Sequence, residues 1–144
     1  MRFEEMGDSG NSKRVQKAPR ILVVIAEPES LAYHSDLLQA LGYEVLACAT
    51  YGEGLAMLQS ETFDLVTVGQ GGRAFEGRDI LTRVLEIDRN TPVLVLARTS
   101  DMENYLEAMQ LGAVDYLEMP VPPEEFMRAL RTHLISSIGG QTDA

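Results

Sequence analysis

Few residues in this chain have the types and spacing to do chemistry. The run Gly69-Gln70-Gly71-Gly72-Arg73 follows a β-type segment and precedes a helical one. That is the setting of a phosphate cradle, in which backbone N–H groups and a helix N-terminus grip an anion. The run has neither G-x-G-x-x-G spacing nor a G-K-S/T ending, so a flexible loop is the competing reading. His34 and His133 fall in different helical segments, with no Cys, Asp or second His at ligand spacing. Surface or packing roles are expected of both, and no metal site. There is no G-x-S-x-G elbow and no H-E-x-x-H, so no catalytic residue is assigned. The single cysteine, Cys48, cannot close an internal disulfide and lies within an apolar strand pattern, which suits a small buried core residue.

Charge narrows the function classes further. The formal net charge is −10 over 144 residues. Residues 1–20 are net +2 and the remainder net −12, with seven arginines against 19 acids. An acidic body repels phosphate backbones, so the folded part is not expected to bind nucleic acid. The basic cluster from Lys13 to Arg20 either touches an acidic partner or is simply solvated. No apolar stretch approaches the roughly 20 residues of a membrane helix, and no secretory h-region opens the chain, so a cytoplasmic location and no membrane partner are expected.

The elements that would position any site follow from periodicity. Residues 1–18 read as a disordered leader, 19–136 as one domain and 137–144 as a flexible tail or linker stub. Within the domain, apolar runs alternate with helical patterns five times. Ile21–Ile25 is a continuous β-branched-rich run, as in a strand buried on both faces. Pro28 opens a helix with Leu31, Leu38 and Leu41 on one face, closed by Gly42 and Tyr43. Val45–Ala49 is a second strand, and Thr50 with Glu53 forms a capping box for a helix through Leu58. Leu65–Val68 is a third strand, followed by the glycine-rich loop and a helix over about 78–88. Pro92–Ala97 is a fourth. Ser100 and Glu103 form another capping box, for a helix with Met102, Tyr105, Leu106 and Met109 on one face, its methionines expected as core filler, and Gly112 at its end. Val114–Leu117 is a fifth strand, and Pro122-Pro123 starts a last helix with Phe126, Leu130, Leu134 and Ile138 in line. Strict alternation with short loops implies right-handed crossovers and an α/β, doubly wound parallel sheet of five strands with five helices.

This arrangement resembles the response-regulator receiver domain, the CheY-like, flavodoxin-like fold, over about residues 20–135. The resemblance is carried by Ile21-Leu22-Val23-Val24 with Glu27-Pro28, Leu41-Gly42-Tyr43, Phe63-Asp64-Leu65-Val66, Thr91-Pro92-Val93, Leu111-Gly112-Ala113 and Asp115-Tyr116-Leu117. It implies a strand order of 2-1-3-4-5. Receivers phosphorylate an aspartate at the end of the third strand, using an acidic pair to hold Mg²⁺ and a hydroxyl and a lysine to engage the phosphoryl oxygens. By the resemblance the acidic pair falls on Ile25 and Ala26, the acceptor on Gly69, the hydroxyl on Ala97 and the lysine on Met119, before Pro120. None of the five can do that chemistry. A shifted register does not help, because Lys13 and Lys17 are the chain's two lysines and both precede the first strand. Thr99 stands roughly 6.6 Å further along an extended chain than Ala97. Asp64 is at the wrong end of its strand, Asp79 falls within a helix, and Glu27 alone is too little for Mg²⁺.

The implied function is a phosphorylation-independent, receiver-like signalling module that acts by protein–protein interaction in a two-component-type pathway, with no cofactor and no enzymatic activity. The alternative is a sensor of a small anion or nucleotide using the vacated pocket. Arg73 and Arg98 would then contact the anion; otherwise they pair with Glu76 or Glu118. Tyr116 matches the aromatic that swings in receivers and is expected to keep one rotamer here. The face of the fourth helix, fifth strand and fifth helix, where receivers meet partners or dimerise, would carry Asp101, Glu103, Asn104, Glu107, Tyr116, Arg128 and Arg131. That mixed-charge surface suits self-association or simple solvation.

Overall fold

The computed structural model describes the backbone of residues 18–143 and the side chains of residues 18–134. The leader reading for residues 1–17, and most of the basic cluster, lie outside them. Ten elements alternate: β1 Arg20–Val24, α1 Pro28–Ala40, β2 Glu44–Cys48, α2 Tyr51–Ser60, β3 Leu65–Gly69, α3 Arg78–Ile87, β4 Val93–Ala97, α4 Met102–Leu111, β5 Asp115–Glu118 and α5 Pro123–Asp143. All strand pairs are parallel, in the order β2-β1-β3-β4-β5. The implied strand order and fold class are those found.

Alternation along the three central strands splits the core into two layers. Ile21, Val23, Ile25, Leu65, Leu94 and Leu96 pack with Leu38 of α1 and Phe126 and Leu130 of α5. Leu22, Val24, Val66, Val68, Val93 and Val95 pack with Leu58 of α2, Ile80, Leu81 and Val84 of α3, and Ala108 of α4. Residues of β1, β3 and β4 are buried on both faces, which is why these strands read as unbroken apolar runs. The edge strands β2 and β5 are partly exposed.

Three local expectations need correction. The capping box of α2 forms: Thr50 Oγ1 accepts from Glu53 N at 3.0 Å, and Glu53 Oε1 accepts from Ala49 N at 3.0 Å. The Ser100–Glu103 box of α4 does not. Asp101 is the N-cap, its Oδ1 accepting from Glu103 N at 3.0 Å, and Ser100 Oγ donates to Glu118 Oε1 instead. An anionic acceptor suits the positive end of a helix better than a hydroxyl. The core face of α4 is also not the expected one. Asn104 and Ala108 are buried, whereas Met102, Tyr105 and Leu106 are 70%, 39% and 48% exposed. A small residue at 108 lets the helix approach the sheet closely, and the larger apolar side chains turn outward. Finally, α5 continues through Asp143 where the sequence suggests a frayed tail. Gly139 and Gly140 cost about 1 kcal/mol each in a helix interior, which weakens a helix without ending it.

Candidate functional site

The five residues that the resemblance places at phosphotransfer positions gather at the C-terminal edge of the sheet. Ile25 follows β1 and is fully buried, Gly69 ends β3, Ala97 ends β4, and Met119 follows β5 and is 8% exposed. Ala26 is exposed. The backbone ties them together: Ile25 N donates to Cys48 O at 3.2 Å and Met119 N donates to Ala97 O at 2.7 Å. A Cβ built on Gly69 would stand 3.7 Å from Ile25 Cα, Cγ1 and Cγ2, so the Ile25 side chain lies over Gly69. Ile25 and Met119 belong to the same apolar cluster. None of the five side chains is a nucleophile, a titratable group or a ligand suited to Mg²⁺. No group of three His, Cys, Asp or Glu side chains among the described residues could hold a metal ion.

Beside them opens a cleft of about 980 Å³, lined by Ala26, Glu27, Tyr51, the Gln70–Arg73 and Arg98–Met102 segments, and Glu76. Hydrogen bonds and one buried side chain hold the β3–α3 loop that forms one wall. Phe75 is buried at φ 57° in the left-handed region, anchoring the turn. Gln70 N donates to Leu96 O at 2.7 Å, Gly77 N to Gln70 O at 3.1 Å, and Gly72 N to Glu76 Oε1 at 2.6 Å. Glu76 thus occupies an amide that a phosphate cradle would offer to its ligand. Arg73 and Arg98 both line the cleft and are exposed. The expected pairing with Glu76 or Glu118 is not found: among the described residues neither arginine makes an ion pair, while Glu76 accepts from Gly72 N and Glu118 from Ser100 Oγ. Tyr51 Oη donates to Gly69 O at 3.0 Å. Burial, then the charges of Glu27 and Glu76, push the Tyr51 phenol up to about 12, so it stays a neutral donor.

Tyr116 points its hydroxyl back toward this loop, donating to Gln70 Oε1 at 2.5 Å, while its ring meets Tyr105 edge-on at 5.6 Å. Burial raises its pKa. Gln70 is 4% exposed, and its Nε2 donates to Gly72 O at 3.1 Å, so every polar end is used. Its role was not anticipated; a polar residue directly after a fully buried strand was the available signal.

The expected interaction face is only partly assembled. Glu103, Arg128 and Arg131 are exposed on it. Asn104 is 4% exposed and turned inward, its Nδ2 donating to Arg73 O at 3.3 Å and Asp101 Oδ2 at 3.2 Å, which makes it a tether of the loop. Glu107 pairs with Arg78 of α3 at 2.7 Å, on the other flank of the helix. In their place the face shows Met102, Tyr105 and Leu106, three of the five large apolar residues exposed among the described residues.

The remaining candidates do not line the cleft. Cys48 is 4% exposed and burial raises its thiol pKa, which keeps it unreactive. His133 Nε2 lies 3.9 Å from Asp115, and His34 is fully buried against α5. A second cavity, of about 530 Å³ and floored by Leu58, Phe63 and Val84, lies at the opposite end of the sheet, away from these residues. No described helix is long and apolar enough to cross a membrane.

Comparison with known proteins agrees with this fold. The chain is 29% identical over 119 residues to the alginate biosynthesis transcriptional regulatory protein AlgB of Pseudomonas aeruginosa, covering 83% of this chain and 26% of AlgB. It thus spans about a quarter of that relative's length, and 24% of the transcriptional regulatory protein ZraR of Salmonella typhimurium. Among solved structures, a CheY-like receiver domain from Methanospirillum hungatei superposes with a TM-score of 0.79 at 26% identity, covering 86% of this chain and 99% of that one. One from Clostridium thermocellum gives 0.72 at 28%, covering 86% and 97%. Residues 21–131 match the family model described as the response regulator receiver domain, and the chain belongs to that family.

Proposed function

We propose that this receiver domain signals without phosphotransfer, as a cytoplasmic protein-interaction module of a two-component-type pathway, and that it is not an enzyme. One observation carries the reading: the Ile25 side chain lies over Gly69, with Met119 in the same apolar cluster, where a receiver would need carboxylates and an ammonium. An aspartate and its Mg²⁺ would have to displace that packing. The output surface is the exposed apolar row Met102, Tyr105 and Leu106, flanked by Glu103 and by Arg128 and Arg131 of α5. Apolar residues ringed by both signs of charge suit a protein partner, including a second copy. The acidic body argues against nucleic acid as its direct ligand. Radiolabelled acetyl phosphate with Mg²⁺ leaves such a chain unlabelled, and beryllofluoride with Mg²⁺ leaves its Tm unchanged. Label on any carboxylate of the domain overturns the reading.

A second reading rests on Arg73 and Arg98, which share one cleft and lack ion-pair partners among the described residues. In it the domain senses a small anion or nucleotide, which must compete with Glu76 for Gly72 N–H. A saturable thermal shift with pyrophosphate or ATP, lost in the Arg73→Gln, Arg98→Gln double variant, selects this reading; its absence selects the first.

A further inference from the structure

Two neighbours on α1 hold both backbone groups of one residue in the β5–α5 loop. Tyr33 Oη donates to Val121 O at 3.0 Å, and His34 Nε2 accepts from Val121 N at 3.2 Å. On its other side His34 Nδ1 lies 2.7 Å from Ser30 O. A carbonyl only accepts and a backbone N–H only donates. The two contacts therefore fix the ring as the neutral Nδ1–H tautomer with its lone pair on Nε2. His34 and Val121 are both fully buried.

The surroundings offer nothing to hold a charged ring. From α1 it faces the Ser30 carbonyl and the Tyr33 phenol, whose ring stands edge-on at 4.8 Å. From the loop it faces the Val121 backbone, and from α5 the Phe126 ring at 5.7 Å. No charged side chain is among these partners. Burial lowers the imidazole pKa below its ordinary value, with the Ser30 carbonyl acting in the opposite sense.

We infer that His34 is a proton-operated latch on the β5–α5 loop: neutral, it holds the Val121 N–H, and protonated, it releases that amide, leaving Val121 held through its carbonyl by Tyr33 alone. The step is the gain of one proton at Nε2. That proton would face the Val121 N–H, donor against donor, so the hydrogen bond is lost while the Nδ1–H contact to Ser30 survives.

Nuclear magnetic resonance of the full chain between pH 7.5 and 5.0 tests this. At pH 7.5 the imidazole ¹⁵N shifts are expected to show an unprotonated Nε2. As His34 titrates, the exchange protection of the Val121 amide is expected to fall at least tenfold after correction for intrinsic rates. His34→Gln keeps an acceptor toward Val121 and a donor toward Ser30 without titrating, and is expected to abolish the fall. His133→Gln, which removes the chain's other histidine, is expected to keep it. An Nε2–H tautomer at pH 7.5, a His34 that stays neutral to pH 5.0, or Val121 protection that ignores the titration of His34 each overturns the latch.

Discussion

Ile25 lies across Gly69, its Cα, Cγ1 and Cγ2 each 3.7 Å from where a Gly69 side chain would begin. That spacing is ordinary van der Waals contact, so a methyl fits. Gly69→Ala is expected to stabilise the domain by about 0.5 kcal/mol, since it removes unfolded-state freedom at a strand position. Gly69→Asp is expected to destabilise it by about 2–4 kcal/mol, because the new charge starts from a buried position against the Ile25 side chain. Urea denaturation at pH 7.5 distinguishes the two signs. An aspartate tolerated as well as alanine would mean that the pocket can still host the chemistry of its family.

Leu106 offers a test of the output face. It is 48% exposed on α4, in the apolar row with Met102 and Tyr105. Leu106→Arg is expected to change stability by less than about 0.5 kcal/mol, as for surface substitutions generally. On the self-association reading it should weaken the dimer at least tenfold in sedimentation equilibrium. A dimer indifferent to this change would place self-association elsewhere.

The bond from Tyr116 Oη to Gln70 Oε1 joins the edge strand to the β3–α3 loop across 46 residues. Tyr116→Phe leaves the buried Gln70 oxygen without this donor and is expected to cost about 1–2 kcal/mol. Gln70→Leu removes the acceptor and also the Nε2 contact to Gly72. The double variant is expected to cost less than the sum of the singles, with a coupling of about 1 kcal/mol. Additivity would show that the hydroxyl and the amide do not depend on one another.

Much of this architecture was legible beforehand because its determinants are local. The unbroken apolar runs of β1, β3 and β4 announce burial on both faces, and the Thr50–Glu53 box and Gly112 at φ 115° mark helix ends. What escaped depends on distant partners. Periodicity shows that α4 has an apolar row but not which of its faces wins the sheet, and there Asn104 and Ala108 displaced Met102, Tyr105 and Leu106. Gln70, Asn104 and Glu107 found partners on other elements, Tyr116, Arg73 and Arg78, that no spacing along the chain reveals.

Thr67 sits in the middle of β3, fully buried, and its Oγ1 has no hydrogen-bond partner among the described residues. Its neighbours across the ladder are Val23 and Leu94. A buried hydroxyl without a partner costs about 1–3 kcal/mol in desolvation, so Thr67→Val, which keeps the branched shape, is expected to stabilise the domain by about 1 kcal/mol. Thermal unfolding would read this as a rise in Tm of a few degrees; a fall would mean that the hydroxyl is satisfied.

Stability should also depend on pH through His34. Its pKa is lowered in the folded domain by burial, so the unfolded chain binds a proton at a higher pH than the native one does. The sign follows: the His34 contribution is fully present above about pH 6.5, the ordinary histidine value, and is lost as pH falls from there toward the lower native value. One proton taken up on unfolding gives a slope of at most about 1.4 kcal/mol per pH unit in that window. Carboxylates titrate lower, so the comparison that isolates His34 is between the parent chain and His34→Gln in urea at pH 7.5, 6.5 and 5.5. The parent is expected to lose stability relative to the variant between the two lower values and to keep pace between the two higher ones. Parallel curves throughout would show that His34 enters the folded state as readily charged as neutral, and that its two backbone contacts place no constraint on its proton.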